Sequence, residues 1–130
     1  MKVAVDTNVL VRFLVRDEET QFKAAYVVLA HQQIFVPDSV LLETDWVLRF
    51  SYDFSARDVC LAFRHLIGMK NIVLENSIKI AKVLEWHESS LNFADALHLA
   101  KSEHVSEFKT FDATFIKRAK GLSECKVSSP

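Results

Sequence analysis

Short apolar runs and stretches of helical periodicity take turns along this chain. Lys2 to Asp6 is a β-branched run ended by an acid, the pattern of a short buried strand. Asp6-Thr7-Asn8, residue types that favour helix N-termini, then opens a helical stretch through Val15. Glu18 to Gln32 carries Phe22, Ala25, Tyr26 and Leu29 at helical spacing. Ile34-Phe35-Val36 reads as a second strand stopped by Pro37, and Asp38-Ser39 offers a cap for a helix from about Val40 to Phe50. In that helix Val40, Leu41, Leu42, Trp46, Val47, Leu48 and Phe50 leave almost no polar face, which predicts burial on most sides or an interface.

The second half continues the alternation. Ser55 with Asp58 three residues on is a capping-box signature, and the helix it starts carries Val59, Ala62, Phe63 and Leu66 before ending near Gly68. Ile72 to Leu74 is a third strand, and Ser77 to Glu88 is a helix with Ile80, Val83 and Leu84 on one side. Asn92 caps a helix over Phe93 to Glu103. Phe108 to Phe111 is a fourth strand, Ala113 to Lys120 a last helix stopped by Gly121, and Cys125 to Val127 a short fifth strand. Strands alternating with helices predict an α/β fold, a three-layer sandwich whose central, mostly parallel sheet of four or five short strands is flanked by helices. In such folds function gathers at the carboxyl ends of strands, a rule that selects Asp6 and Asp112.

Composition narrows the class. A chain of 130 residues, half of them hydrophobic and with ten Phe, is expected to form a single domain over 1–130 with a full core. Two Gly and two Pro exclude linker-rich, collagen-like and disordered classes. No apolar run has the length of a membrane span or a secretory leader, and Cys60 and Cys125 lack CxxC spacing. The expected setting is therefore cytoplasmic, with reduced, buried thiols and no membrane partner. The net charge of −1 speaks against a plain basic nucleic-acid surface. Setting aside four acids gathered in one place would leave a mildly basic body, compatible with a nucleic-acid substrate.

Those acids are Asp6, Glu43, Asp95 and Asp112, each near a strand end or an N-terminal helix boundary. Glu43 falls on the stripe of Val40 and Val47, so an inward-facing role would bury a carboxylate with no evident Lys or Arg partner. Asp95 lies in the first turn of its helix between Ala94 and Ala96, small neighbours that allow close approach. Two carboxylates about 4 Å apart repel by roughly 4 kcal/mol at an effective dielectric of 20, so a convergent quartet would need cations or protons. An all-oxygen donor set favours Mg²⁺ or Mn²⁺ over Zn²⁺, and such ions serve phosphodiester cleavage. Each acid also has an ordinary alternative: Asp6 and Asp112 as helix caps, Asp95 as a capping or helix-dipole partner. Spacing alone leaves these alternatives open. Thr7, Asn8 and Thr110 offer neutral hydrogen bonds that could orient the acids, or simply cap and edge the local structure. Arg12, His98 and the basic group Lys117, Arg118 and Lys120 are read first as surface or packing residues, and only second as contacts to phosphate or the cleft.

Four segments carry a resemblance. Val5-Asp6-Thr7-Asn8-Val9-Leu10 resembles the opening motif of PIN-domain proteins, and Ser39 to Leu48 resembles the segment with the second acid in the VapC branch. Phe93-Ala94-Asp95-Ala96-Leu97-His98-Leu99-Ala100 is similar to the third-acid segment, and Thr110-Phe111-Asp112-Ala113-Thr114-Phe115 to the fourth. The resemblance covers nearly the whole chain in order. It implies a PIN-like fold and Asp6, Glu43, Asp95 and Asp112 as catalytic metal ligands. It further implies a Mg²⁺- or Mn²⁺-dependent endoribonuclease, the toxin of a toxin–antitoxin pair, forming a homodimer and blocked by a small antitoxin protein.

Rival classes leave different marks. A phospho-acceptor receiver module needs adjacent acids after the first strand and an acceptor Asp after the third, whereas this chain has Asp6-Thr7-Asn8 and Leu74-Glu75-Asn76. A non-catalytic PIN-like scaffold binding RNA or protein has no reason to bear the repulsion of four acids. The same chemistry on DNA stays open, because hydrolysis by an activated water requires no 2′-hydroxyl.

Overall fold

The computed structural model describes residues 2–130, which run β1 (Lys2–Ala4), α1 (Thr7–Val15), α2 (Glu19–His31), β2 (Gln33–Val36), α3 (Asp38–Ser51), α4 (Ala56–Ile67), β3 (Ile72–Leu74), α5 (Ser77–Ser89), α6 (Phe93–Lys101), β4 (Glu107–Lys109), α7 (Ala113–Ala119) and β5 (Lys126–Ser128). The mixed α/β class and the parallel strand pairing are as expected. The five strands divide into a three-stranded and a two-stranded sheet. The residues likewise group into two compact units, one ending at Ser77 and the other running Ile78–Pro130.

In the first unit the strand order is β1-β2-β3, with Val3 opposite Ile34 and Ile34 opposite Ile72. Parallel neighbours cannot be joined by a tight turn, so helix pairs make the crossovers: α1–α2 between β1 and β2, α3–α4 between β2 and β3. Helix α1 packs on α2 and α3, and α3 on α4. Leu10, Leu29, Ile34, Leu41, Leu48, Phe63 and Leu66 are fully buried. The Asn71 amide ties the end of α2 to the approach of β3 by donating to the carbonyls of Leu29 and Gln32 (2.7 Å to the latter). All three strands point the same way. Asp6, the start of α3 and Glu75 therefore follow their carboxyl ends on one edge of this sheet.

Helix α3 departs from expectation in two ways. It begins at Asp38 rather than Val40, and its N-cap, Pro37, supplies no side-chain hydrogen bond. A residue from another strand end does the capping: the Glu75 carboxylate accepts from the Asp38 amide at 2.6 Å. The second departure is the helix face. Asp38, Val40, Leu41, Thr44, Asp45 and Leu48 are the buried residues, while Trp46 is 57% and Phe50 63% exposed, their rings 5.3 Å apart. Glu43 lies three and seven residues from Trp46 and Phe50, on this outer face, and is exposed. It does not share the buried stripe with Val40. The helix buries two other carboxylates, Asp38 in its first turn and Asp45, whose side chain is 1% exposed and forms a bidentate pair with Arg49 at 2.8–3.1 Å.

The second unit holds α5, α6, α7 and the parallel pair β4–β5, with Phe108 opposite Val127. The strands sit elsewhere than periodicity suggests: β4 ends at Lys109 instead of Phe111, and β5 is Lys126–Ser128. The register explains the shift. The Lys126 amide donates to the Ser106 carbonyl and the Thr110 amide to the Ser128 carbonyl, closing the ladder on both sides. Helix α6 stops at Lys101, two residues short of Glu103. The Ser102 amide bonds back to Leu99, and Glu103 turns to Lys82 (2.9 Å) and Ser123 (3.2 Å). The capping box at Ser55 and Asp58 forms as the sequence indicates, at 3.0 Å each way. Gly121 follows α7 with φ of 80°, a left-handed conformation that a side chain would strain. Cys60 and Cys125 are buried free thiols.

The two faces of α3 predict opposite mutational costs. Arg49→Ala removes the bidentate cationic partner of a buried carboxylate and is expected to destabilise the fold by about 3 kcal/mol. Glu43→Gln on the outer face should change stability by less than about 0.5 kcal/mol without metal. Urea unfolding of both variants against the parent chain measures the difference.

Candidate functional site

Asp6 and Asp112 are built alike. Each follows a parallel strand, has extended backbone angles, and caps the next helix. Asp6 Oδ1 accepts from the Val9 amide at 3.1 Å. Asp112 Oδ1 accepts from the amides of Thr114 (2.9 Å) and Phe115 (3.1 Å). The capping alternative is thus correct for both, and it engages only one oxygen of each carboxylate. Among the described residues nothing engages the Oδ2 atoms. These hydrogen bonds hold both carboxylates in a fixed orientation.

Asp95 is different. Asn92 already caps α6 through the Ala94 amide at 2.9 Å, so Asp95 in the first turn is not needed as a cap. Its carboxylate makes no hydrogen bond or ion pair with any described residue. Partial burial pushes its pKa up, the Asp112 charge pushes it up further, and His98 pulls it down to a lesser degree. Desolvation and a like charge thus outweigh the helix dipole. Glu43, exposed on α3, likewise has no bonded partner among the described residues.

The orienting residues fall into two groups. The Thr110 hydroxyl accepts from the Asp112 amide at 3.0 Å, and the Thr110 amide is held by Ser128, so Thr110 fixes the backbone that presents Asp112. Thr7 Oγ1 is buried with no hydrogen-bond partner among the described residues, beside Asp6. Asn8 is exposed on the first turn of α1. Arg12 is committed to structure: it bonds Asp17 at 2.8 Å, Gln21 at 2.6 Å and Tyr52 at 3.1 Å. His98 stacks on Phe108, with ring centroids 6.3 Å apart. Arg118 donates to the Ser90 carbonyl at 3.1 Å.

Of the four acids, the structure brings Asp95 and Asp112 within each other's field in the second unit, while Asp6 and Glu43 belong to the first. Among the described residues no three His, Cys, Asp or Glu side chains are grouped closely enough to hold one ion. Two features escaped the reading of the sequence. The Asp45–Arg49 pair had a visible signal, opposite charges four residues apart on a helix. The Glu75 cap had none, because it joins residues 37 positions apart.

This is the architecture of a nuclease-type α/β domain with acids at the carboxyl ends of parallel strands. The PIN domain family model matches residues 3–121, across both units, and the chain belongs to that family. PIN domains are, as a class, metal-dependent nucleases that bind nucleic acid. No curated protein and no solved structure matches the chain. No helix of the described residues is long and apolar enough to cross a membrane. Within each unit the donor chemistry suits a hard divalent cation: the Asp95 and Asp112 carboxylates in the second, and the unengaged Asp6 oxygen with the orphaned Thr7 hydroxyl in the first.

The raised pKa of Asp95 has a defined sign. Its proton is held more tightly in the folded chain than in the unfolded one, so ionising it costs stability. That cost is absent in acid and grows as pH climbs from the ordinary aspartate range through the raised value. Without metal, Asp95→Asn should melt higher than the parent at neutral pH, by about 2 °C given the solvent screening of a partly exposed group. Thermal unfolding at pH 7 and pH 3 with chelator present checks this, and the gap should close at the lower pH.

Proposed function

We propose that this chain is a metal-dependent endoribonuclease of the VapC kind, the toxin of a toxin–antitoxin pair. In this reading residues 1–130 act as one PIN-like domain. Asp6, Glu43, Asp95 and Asp112 together hold Mg²⁺, for which Mn²⁺ substitutes. The observation that carries it is the uncompensated Asp95 beside Asp112, in a chain whose PIN match runs through all four acids. A fold that keeps two carboxylates in repulsion, with His98 the lesser and opposing influence, calls for a cation at that point.

When bound, such a cation lowers the pKa of a water so that it can attack phosphorus, and offsets the charge of the phosphodiester. The chain's own groups have separate tasks. Asp6 and Asp112 are oriented through one oxygen each by helix amides, which leaves the other oxygen as a ligand. Thr110 holds the Asp112 backbone in place. Asp95, whose pKa is raised by burial and by the Asp112 charge, would have to be ionised to hold a cation, so binding should weaken as pH falls through that raised pKa. Thr7 offers its buried hydroxyl beside Asp6 to whatever polar group enters there.

The partners follow from the same reading. The substrate is RNA. The outer face of α3, with Trp46 and Phe50 exposed, supports an apolar contact with the antitoxin or with a second copy in a homodimer. The free thiols of Cys60 and Cys125 agree with a reducing, cytoplasmic setting.

Cleavage of a structured RNA by the parent chain and by Asp6→Asn, with Mg²⁺, Mn²⁺ or chelator, tests the proposal. Both chelation and the mutation should reduce cleavage by more than about a hundredfold while the fold persists. The products should carry 5′-phosphate and 3′-hydroxyl ends. A 2′,3′-cyclic phosphate would mean that the ribose 2′-oxygen is the nucleophile, which this mechanism excludes.

A further inference from the structure

The residue immediately before Asp112 has no structural task. Phe111 is 88% exposed, and its neighbours show how unusual that is. Phe108 lies against Phe115 with ring centroids 5.5 Å apart, and Phe115 is buried. Phe111 makes no ring contact with any described residue. A hydrophobic residue ahead of an N-cap ordinarily packs on the fourth residue of the helix, here Ile116, but a ring left 88% exposed gains little from such a staple. Solvation of the ring is unfavourable, and the fold leaves it in water all the same.

Its backbone, by contrast, is pinned on both sides. The Thr110 amide donates to the Ser128 carbonyl at 3.0 Å, and the Asp112 amide donates to the Thr110 hydroxyl at 3.0 Å. The Asp112 side chain is then locked onto the amides of Thr114 and Phe115. An aromatic side chain is thus presented to solvent from a fixed turn, one residue from a carboxylate whose field reaches Asp95. An aromatic ring standing in water next to a phosphodiester-cleaving centre has an obvious guest. Every nucleobase offers a π-face, and stacking on an aromatic side chain is tolerant of sequence.

Building on the nuclease reading above, we propose that Phe111 is a substrate-positioning residue that stacks on an unpaired base of single-stranded RNA flanking the scissile phosphate. Holding the base beside Asp112 brings the adjoining phosphate to the acids. The contact needs an unstacked base, so it selects single-stranded or looped RNA over duplex. Asn8, Arg12 and His98 are not required for it.

The test uses two arms so that this inference and the nuclease reading can fail separately. In the binding arm, the Asp6→Asn chain takes up a fluorescein-labelled single-stranded RNA octamer in Mg²⁺, followed by anisotropy. It is compared with the same chain carrying Phe111→Ala or Phe111→Tyr. Phe111→Ala should weaken binding by roughly tenfold or more, and Phe111→Tyr, which keeps the ring, should stay within about twofold of the parent. In the cleavage arm, with Asp6 intact, Phe111→Ala should raise KM by a similar factor. Mn²⁺ affinity by calorimetry and the melting temperature should not change. An abasic nucleotide beside the cleavage position should abolish the difference between parent and Phe111→Ala. Equal binding by the parent and the Ala variant, or equal weakening by Ala and Tyr, overturns the stacking role. If no metal-dependent cleavage is found, the nuclease reading falls and the binding arm still decides for or against Phe111.

Discussion

Parallel pairing of β2 with a strand on each side is the constraint from which the first unit follows. Strands that run the same way have to be joined by long crossovers, and here those are the helix pairs α1–α2 and α3–α4. Parallel order also sends every strand's carboxyl end to one edge, where the chain must turn into a helix or loop. The amides of a new helix lack intrahelical acceptors, so acids and hydroxylated residues settle there. Asp6 is at that edge for this reason, and Glu75 reaches across it to supply the cap that Pro37 withholds from α3. The pair β4–β5 repeats the rule in the second unit with Asp112.

A cap and a metal ligand make compatible demands on such an acid. Capping fixes the side chain through one oxygen and leaves the second without a partner among the described residues. What distinguishes Asp95 is that it has no cap to make: Asn92 does that work, and Asp95 stands in a partly dry place facing another negative charge. Structural acids in this chain look otherwise. Asp45 is clasped by Arg49, Glu103 by Lys82, Asp17 by Arg12 and Tyr52. The contrast separates carboxylates clasped by a cation from those that are not, and it agrees with membership of a metal-dependent nuclease family.

Helix α3 shows how the same residues can serve stability and contact. Its inner face carries a buried ion pair among leucines, and its outer face carries Glu43 with two exposed aromatic rings. Charge is therefore neutralised inside the helix packing and left unneutralised outside it. Phe111 repeats the outer-face pattern beside Asp112. In both places an acid without a cationic partner has an exposed aromatic residue close by in sequence.

The sequence by itself determined the element order, the parallel α/β class, the capping box at Ser55 and the cap at Asn92, and it offered caps at Asp6 and Asp112 as one of two open readings. The elements and caps depend on residues within four positions of one another, the range over which periodicity and capping act, and the class follows from the alternation of those elements along the chain. It also pointed to the candidate acids, since strand ends and helix starts are legible locally. Only the tertiary structure decided which face of α3 turns inward, because an almost wholly apolar helix gives no amphipathic direction and the Asp45–Arg49 pair had to be buried to reveal it. The same holds for the end of β4 at Lys109, set by pairing with β5 nearly twenty residues away, which left Phe111 in solvent instead of in a strand. The raised pKa of Asp95 was out of reach for the same reason. It arises from burial and from the charge of Asp112 on another element, and a field between distant residues has no signature in local spacing.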